Sequence, residues 1–116
     1  MKINVEKRDV IEWLDVLSEA SRGKHYPALW KRVRGLVAVP SRRRASVNLY
    51  KLNKHTKAGD NVVVPGKVLS VGAMDHKINV AAIEFSMPAR SALKAADCKM
   101  MTIKEMVKAD KVHLII

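Results

Sequence analysis

Between Val5 and Ala20 the apolar residues Val10, Trp13, Leu14 and Leu17 return every three or four positions, and Glu12, Asp15 and Glu19 fall on the opposite side. The spacing predicts an amphipathic helix with an acidic outer stripe, whose solvated face could also meet a basic neighbour or point away from a polyanion. Gly23 interrupts the pattern, and Pro27 suits the first turn of a second helix through LWKRVRGLV. There Leu29, Val33, Leu36 and Val37 form the stripe to be buried, Lys31 and Arg34 point outward, and Arg32 lies towards the edge. Pro40 ends the helix. Gly35 falls in its interior at a cost of about 1 kcal/mol relative to alanine. On the outer face a residue without a Cβ would let another backbone or a phosphate come close.

The next stretch, SRRRASVNLYKLNKHTKAGD, has no apolar periodicity around its three arginines. Asn48 is placed to cap a short helix reaching about Thr56, which would bury Leu49 and Leu52 and expose Lys51, Lys54 and His55. After Gly59 the character changes. NVVVPGKVLSVG opens with a β-branched run that predicts a buried strand, followed by a turn at Pro65-Gly66 and a second extended piece from Val68 to Val71. INVAAIEF predicts another strand, Pro88 introduces a helix in ARSALKAAD, and CKMM is a short extended segment. Thr102 and Glu105 have the spacing of a capping box, and VHLII predicts a last buried strand. The alternation implies an α/β fold: a compact domain of short strands and helices over residues 60–116, with a basic, mainly helical portion at 1–59, the two making one structural unit. No internal repeat at a fixed period is present.

Charge adds direction to this outline. The 116 residues hold 22 Lys and Arg against 11 Asp and Glu, a net charge of +11. Eleven of the cations lie between Ala20 and Gly59, where there is no acid at all, so the whole excess resides in that segment. A field of one sign on part of a small protein attracts polyanions, of which nucleic acids are the most abundant in cells. The lone Cys98 has no disulfide partner in the chain, and no Cys or His spacing resembles a metal site. Cys98 is expected to be a small buried hydrophobe in a reducing compartment. No apolar run approaches the ~20 residues of a membrane span, and the N-terminal residues are too often charged for a signal peptide, so a soluble, cytoplasmic protein is expected.

Catalytic chemistry has little to work with. The acids beyond residue 60 are scattered singly, the four histidines are far apart, and Pro65-Gly66-Lys67 lacks the second glycine and the GK[ST] ending of a phosphate loop. The pattern implies no enzyme, no cofactor, no metal and no small-molecule substrate. Arg and Lys, in contrast, neutralise phosphates, and Arg adds bidentate hydrogen bonds and stacking on exposed bases. The basic segment also holds five side chains able to stack, His25, Tyr26, Trp30, Tyr50 and His55, for which core packing is the expected role.

The order of these segments resembles a known family. PSRRRASVNLYKLNKHTKAGDNVVVPGKVLSVG, then KINVAAIEFS, a TIKEMV helix and an apolar final strand look like the archaeal form of large-subunit ribosomal protein eighteen, a homologue of bacterial large-subunit protein fifteen. Ser70-Val71-Gly72 stands where some members have a glycine sooner. The resemblance spans nearly the whole chain and implies a structural protein of the large ribosomal subunit, with large-subunit rRNA and neighbouring ribosomal proteins as partners and the cytoplasmic ribosome as its location. By motif position it implies rRNA contacts at Arg42, Arg43, Arg44, Asn48, Lys51, Lys54 and Lys67. The charge pattern adds Lys24, Lys31, Arg32 and Arg34. A free-standing RNA- or DNA-binding regulator would share the electrostatics without the ribosome.

Overall fold

The computed structural model describes residues 5–116. Helix α1 (Val5–Ser21) and helix α2 (Pro27–Val37) come first, and a 3-10 turn (Ser41–Arg43) leads into strand β1 (Ala45–Asn48). Helix α3 (Leu49–His55), strands β2 (Asn61–Leu69) and β3 (Asn79–Phe85) and helix α4 (Met87–Ala95) follow. Strand β4 (Lys99–Met100), helix α5 (Ile103–Met106) and strand β5 (Val112–Leu114) complete the fold. All pairings in the sheet are parallel. The path runs β1-β2-β3-β4, and β5 also pairs with β2. Because β5 pairs with Asn61–Val63 and β1 with Gly66–Leu69, these two strands share one edge of β2, end to end, with β3 along the other.

A parallel sheet needs cover on both faces, and β2 supplies apolar side chains to each in alternation. Val62, Val64 and Val68 face one core with Val47, Leu49 and Leu52, together with Ala89 and Leu93 of α4. Val63 faces the other, among Trp13, Leu17, Trp30, Val33, Val37, Ile103 and Met106. Helices α1, α2 and α5 therefore cover one face, and α3 and α4 the other. The first 59 residues contribute to both cores as well as an edge strand.

Several helix ends follow sequence rules closely. The Ser86 hydroxyl accepts from the Ala89 amide at the start of α4, and Thr102 and Glu105 form the reciprocal capping box at the start of α5. Three expectations need correcting. Pro65-Gly66 makes no turn, because β2 runs straight through it, with its register to β3 shifting between Val64 and Lys67. A bulge tolerates a residue without an amide hydrogen, and Gly66 is required there, since a Cβ would fall on the β1 backbone. The ASVN segment is a strand, and Asn48, at the start of α3, makes no side-chain cap bond. The last strand is short and only half-buried, with His113 exposed and Ile115 carrying the burial just beyond it.

Candidate nucleic-acid interface

The acid-free segment is divided by β1. Before it, α2 and the 3-10 turn carry cations on the face of the sheet covered by α1 and α5. After it, α3 carries more on the opposite face. The cations thus form two banks on either side of the β1 edge.

On α2 the buried stripe is Trp30, Val33 and Val37, with Leu29 and Leu36 partly buried. Lys31, Arg32 and Arg34 are consequently exposed. A Cβ on Gly35 would meet nothing within 4 Å, so the helix is uncovered at this position, one turn on from Lys31 and Arg32. Arg34 lies towards α1 and donates from Nε to the Ser18 hydroxyl at 2.8 Å. Lys24 is exposed in the turn before α2. That turn is held by His25, whose Nε2 lies 3.0 Å from the Ala109 carbonyl and 3.4 Å from an Asp110 carboxylate oxygen.

The three consecutive arginines do not act alike. Arg42 and Arg43 are exposed, whereas Arg44 is half-buried and donates from Nε to the Val37 carbonyl at 3.1 Å. That bond satisfies an acceptor at the end of α2, which the helix itself leaves open. Arg44 also lines a cleft of about 110 Å³ with Ser46, Gly66, Lys67 and Glu84.

Lys67 lies 3.5 Å from Glu84, so its charge is partly answered within the chain. Glu84 also contributes, after burial and Glu12, to holding the Asp9 carboxyl above the usual aspartate range. Acids therefore lie close to this lysine. On the other bank, Lys54 is exposed, Lys51 donates to the Ile116 carbonyl, and the Asn48 side chain accepts from the Val71 amide at 3.3 Å.

The eleven positions thus sort into two groups. Lys24, Lys31, Arg32, Arg42, Arg43 and Lys54 are exposed and, among the described residues, have no ion-pair or hydrogen-bond partner on their side chains. Arg34, Arg44, Asn48, Lys51 and Lys67 are engaged within the fold. Trp30 is fully buried, as its place beside the apolar stripe implies. For His25, Tyr26, Tyr50 and His55, core packing is overturned: all four are exposed, Tyr26 by 45% and Tyr50 by 57%. Tyr26 immediately precedes the proline that starts α2, lies in the left-handed region at φ 54°, and stands edge-on to His25 at 4.6 Å. Tyr50 falls in the first turn of an amphipathic helix whose inner positions are Leu49 and Leu52, and the 49/52 spacing was the signal that it would face outward.

One array resembles catalytic machinery. His76 lies between Asp75 (Nδ1 to Oδ1, 2.7 Å) and Thr56 (Nε2 to Oγ1, 2.7 Å). The Thr56 hydroxyl is buried, however, and donates to the Leu52 carbonyl at 2.6 Å, so its proton is committed. The array closes the end of α3 against the 70–78 loop. Cys98 is buried nearby, with its Sγ 3.6 Å from the His76 carbonyl.

With a doubly covered parallel sheet and these two cationic banks in view, relatives decide the family. A large ribosomal subunit protein eL18 from Sulfolobus acidocaldarius is 41% identical over 85 residues, covering 73% of this chain and 72% of that protein. The chain belongs to the eL18 family. A second eL18, from Sulfurisphaera tokodaii, is 41% identical over 90 residues, covering 78% of this chain and 72% of its own length. The eL18 of Thermoplasma volcanium is 35% identical over 105 residues, or 90% of this chain and 85% of that protein. No family model matches the chain. The α/β architecture expected for eL18 from the sequence is the one observed, apart from β1 and the uninterrupted β2.

Proposed function

We propose that this eL18 chain is a structural constituent of the large ribosomal subunit that binds large-subunit rRNA, with neighbouring ribosomal proteins, in the cytoplasm. The observation that carries the proposal is the pair of cationic banks flanking β1, which lie in a segment without one carboxylate. Lys24, Lys31, Arg32, Arg42 and Arg43 engage phosphates from one side, and Lys54 from the other. Arg34, Lys51 and Lys67 keep unused donors and contribute secondarily, while Arg44 serves mainly to hold the end of α2 and Asn48 to hold Val71. The role needs no cofactor, metal or catalytic residue.

Six phosphate contacts give a slope of about −4 to −5.5 for log K against log salt. Sucrose-gradient sedimentation of lysate tests the ribosomal part. The chain should travel with the large subunit after a moderate salt wash, and a chain left in the light fractions would instead be a free-standing regulator. Replacing Arg42 and Arg43 by alanine should weaken binding to large-subunit rRNA in a folded protein; unchanged affinity would remove that bank from the interface.

A further inference from the structure

Tyr50 and Val71 are large apolar side chains that the fold leaves in solvent, 57% and 62% exposed, although Leu49 and Leu52 on the same helix are wholly buried. Their backbones are pinned together. The Tyr50 amide donates to the Val71 carbonyl at 3.0 Å, and the Val71 amide donates to the Asn48 side chain at 3.3 Å. Gly72, at φ +100°, packs so tightly that a Cβ there would fall 2.6 Å from the Cβ of Tyr50. A short bracket therefore joins the β1–α3 junction to the loop after β2, and an exposed aromatic ring and an exposed isopropyl group stand on its two hydrogen-bonded backbones. Among the described residues, the Tyr50 ring has no aromatic or guanidinium partner of its own.

We propose that Tyr50, with Val71 beside it, is a stacking platform for an unpaired base of single-stranded or looped RNA. The proposal rests on the RNA-binding role above and specifies what part of an RNA this bank takes. The surroundings favour a base over an apolar protein side chain. Lys51 follows Tyr50 directly, Lys54 lies one turn on, and neither residues 45–59 nor residues 70–74 contain an acid. A ring among cations can take a base on its face and the adjoining phosphate on the lysines. Duplexed bases are already stacked on one another and cannot use such a platform. The backbone on which the ring stands is fixed before binding, so little ordering is required there.

The test compares the full chain with Tyr50→Ala, Tyr50→Phe and Val71→Ser. Fluorescence anisotropy is read with a labelled single-stranded RNA of about 12 nucleotides, within the span such sites cover, and inorganic polyphosphate and a duplex RNA of the same length serve as competitors. Tyr50→Ala should weaken single-strand binding by about 5- to 150-fold, and Tyr50→Phe should stay within about twofold because the ring is kept. Val71→Ser should weaken it in the same direction but less. Affinity for duplex and for polyphosphate should not move, and thermal melting of each variant checks that it is folded. Equal losses on all three probes would overturn the platform. Full single-strand affinity in folded Tyr50→Ala and Val71→Ser, alongside weakened binding in the Arg42→Ala, Arg43→Ala double variant, would overturn the platform and leave the RNA-binding role standing. If the unaltered chain bound neither RNA, both would fall. If Tyr50→Ala bound every probe normally but no longer sedimented with the subunit, the bracket would be a protein contact, and the base-stacking proposal would be wrong.

Discussion

A Cβ built on Gly66 falls 2.0 Å from the carbonyl oxygen of Ala45, its partner across the β1–β2 ladder. The obstacle is backbone rather than a movable side chain, so relief would require β1 to leave its place. Gly66→Ala should destabilise the fold by about 3 kcal/mol or more, beyond the usual cost of one excess methyl in a core. Denaturant unfolding gives the energy, and hydrogen exchange should speed up first at the amides that join the two strands. Gly35 is the control. It stands in open space within α2, so Gly35→Ala should stabilise by about 0.5–1 kcal/mol.

The arginine triplet should divide in two when mutated singly. Arg44→Ala removes the donor from the end of α2 and should cost about 1 kcal/mol of stability. Arg42→Ala and Arg43→Ala should leave the melting temperature nearly unchanged and act on RNA affinity instead, because their side chains are exposed and, among the described residues, make no hydrogen bond or ion pair. Thermal melting and RNA titration on the same three proteins separate these outcomes.

Trp30 is fully buried, with its indole N–H lacking an acceptor among the described residues. Trp30→Ala should cost about 3–5 kcal/mol through the cavity left between α2 and the sheet. Trp30→Phe should cost clearly less, since it retains most of the ring packing and removes a donor whose burial without a partner is itself unfavourable. Urea midpoints of the two variants give the comparison.

Two aspartates should respond to pH in opposite senses. The Asp75 carboxyl is held below the usual aspartate range, first by the hydrogen bond from His76 and then by Asn53. Its native form favours the charged state, so its contribution is full above the unfolded-state value and is lost as pH falls through the lower native value. Asp9 is pushed up, first by burial and then by Glu12 and Glu84, so its ionisation opposes folding as pH rises through the unfolded-state value. At pH 7 Asp75→Asn should be less stable than the parent and Asp9→Asn more stable. Both differences should shrink below about pH 4, where the carboxyls of the unfolded chain take up protons. Denaturation at pH 7 and at low pH provides the check.

Much of this architecture was legible in the residues. The 10/13/14/17 spacing of α1, the proline-led starts of α2 and α4, the Thr102–Glu105 box and the INVAAIEF strand are local signals, and the structure obeys them. β1 was not legible, because ASVN is four residues long and becomes a strand only by pairing with Gly66–Leu69, about twenty residues away in sequence. Pro65-Gly66 ordinarily signals a turn. Here the missing amide hydrogen of the proline falls in a bulge, and the glycine admits a neighbouring backbone that no local window contains. Among the candidate interface residues, the sign of the charge was plain from the start. Which cations the fold keeps for itself was not, since the partners of Arg44, Lys51 and Lys67 come from Val37, Ile116 and Glu84.

The shared edge of β2 also bears on the order in which the molecule can be made. Its later half is covered by β1, which is synthesised before it, but Asn61–Val63 wait for residues 112–114. During synthesis the central strand therefore remains partly unpaired until residues 112–114 have emerged, whereas all eleven cations of the acid-free segment have been available since residue 57. The cationic surface precedes the completed sheet in time, so an RNA partner could be engaged while that edge is still open.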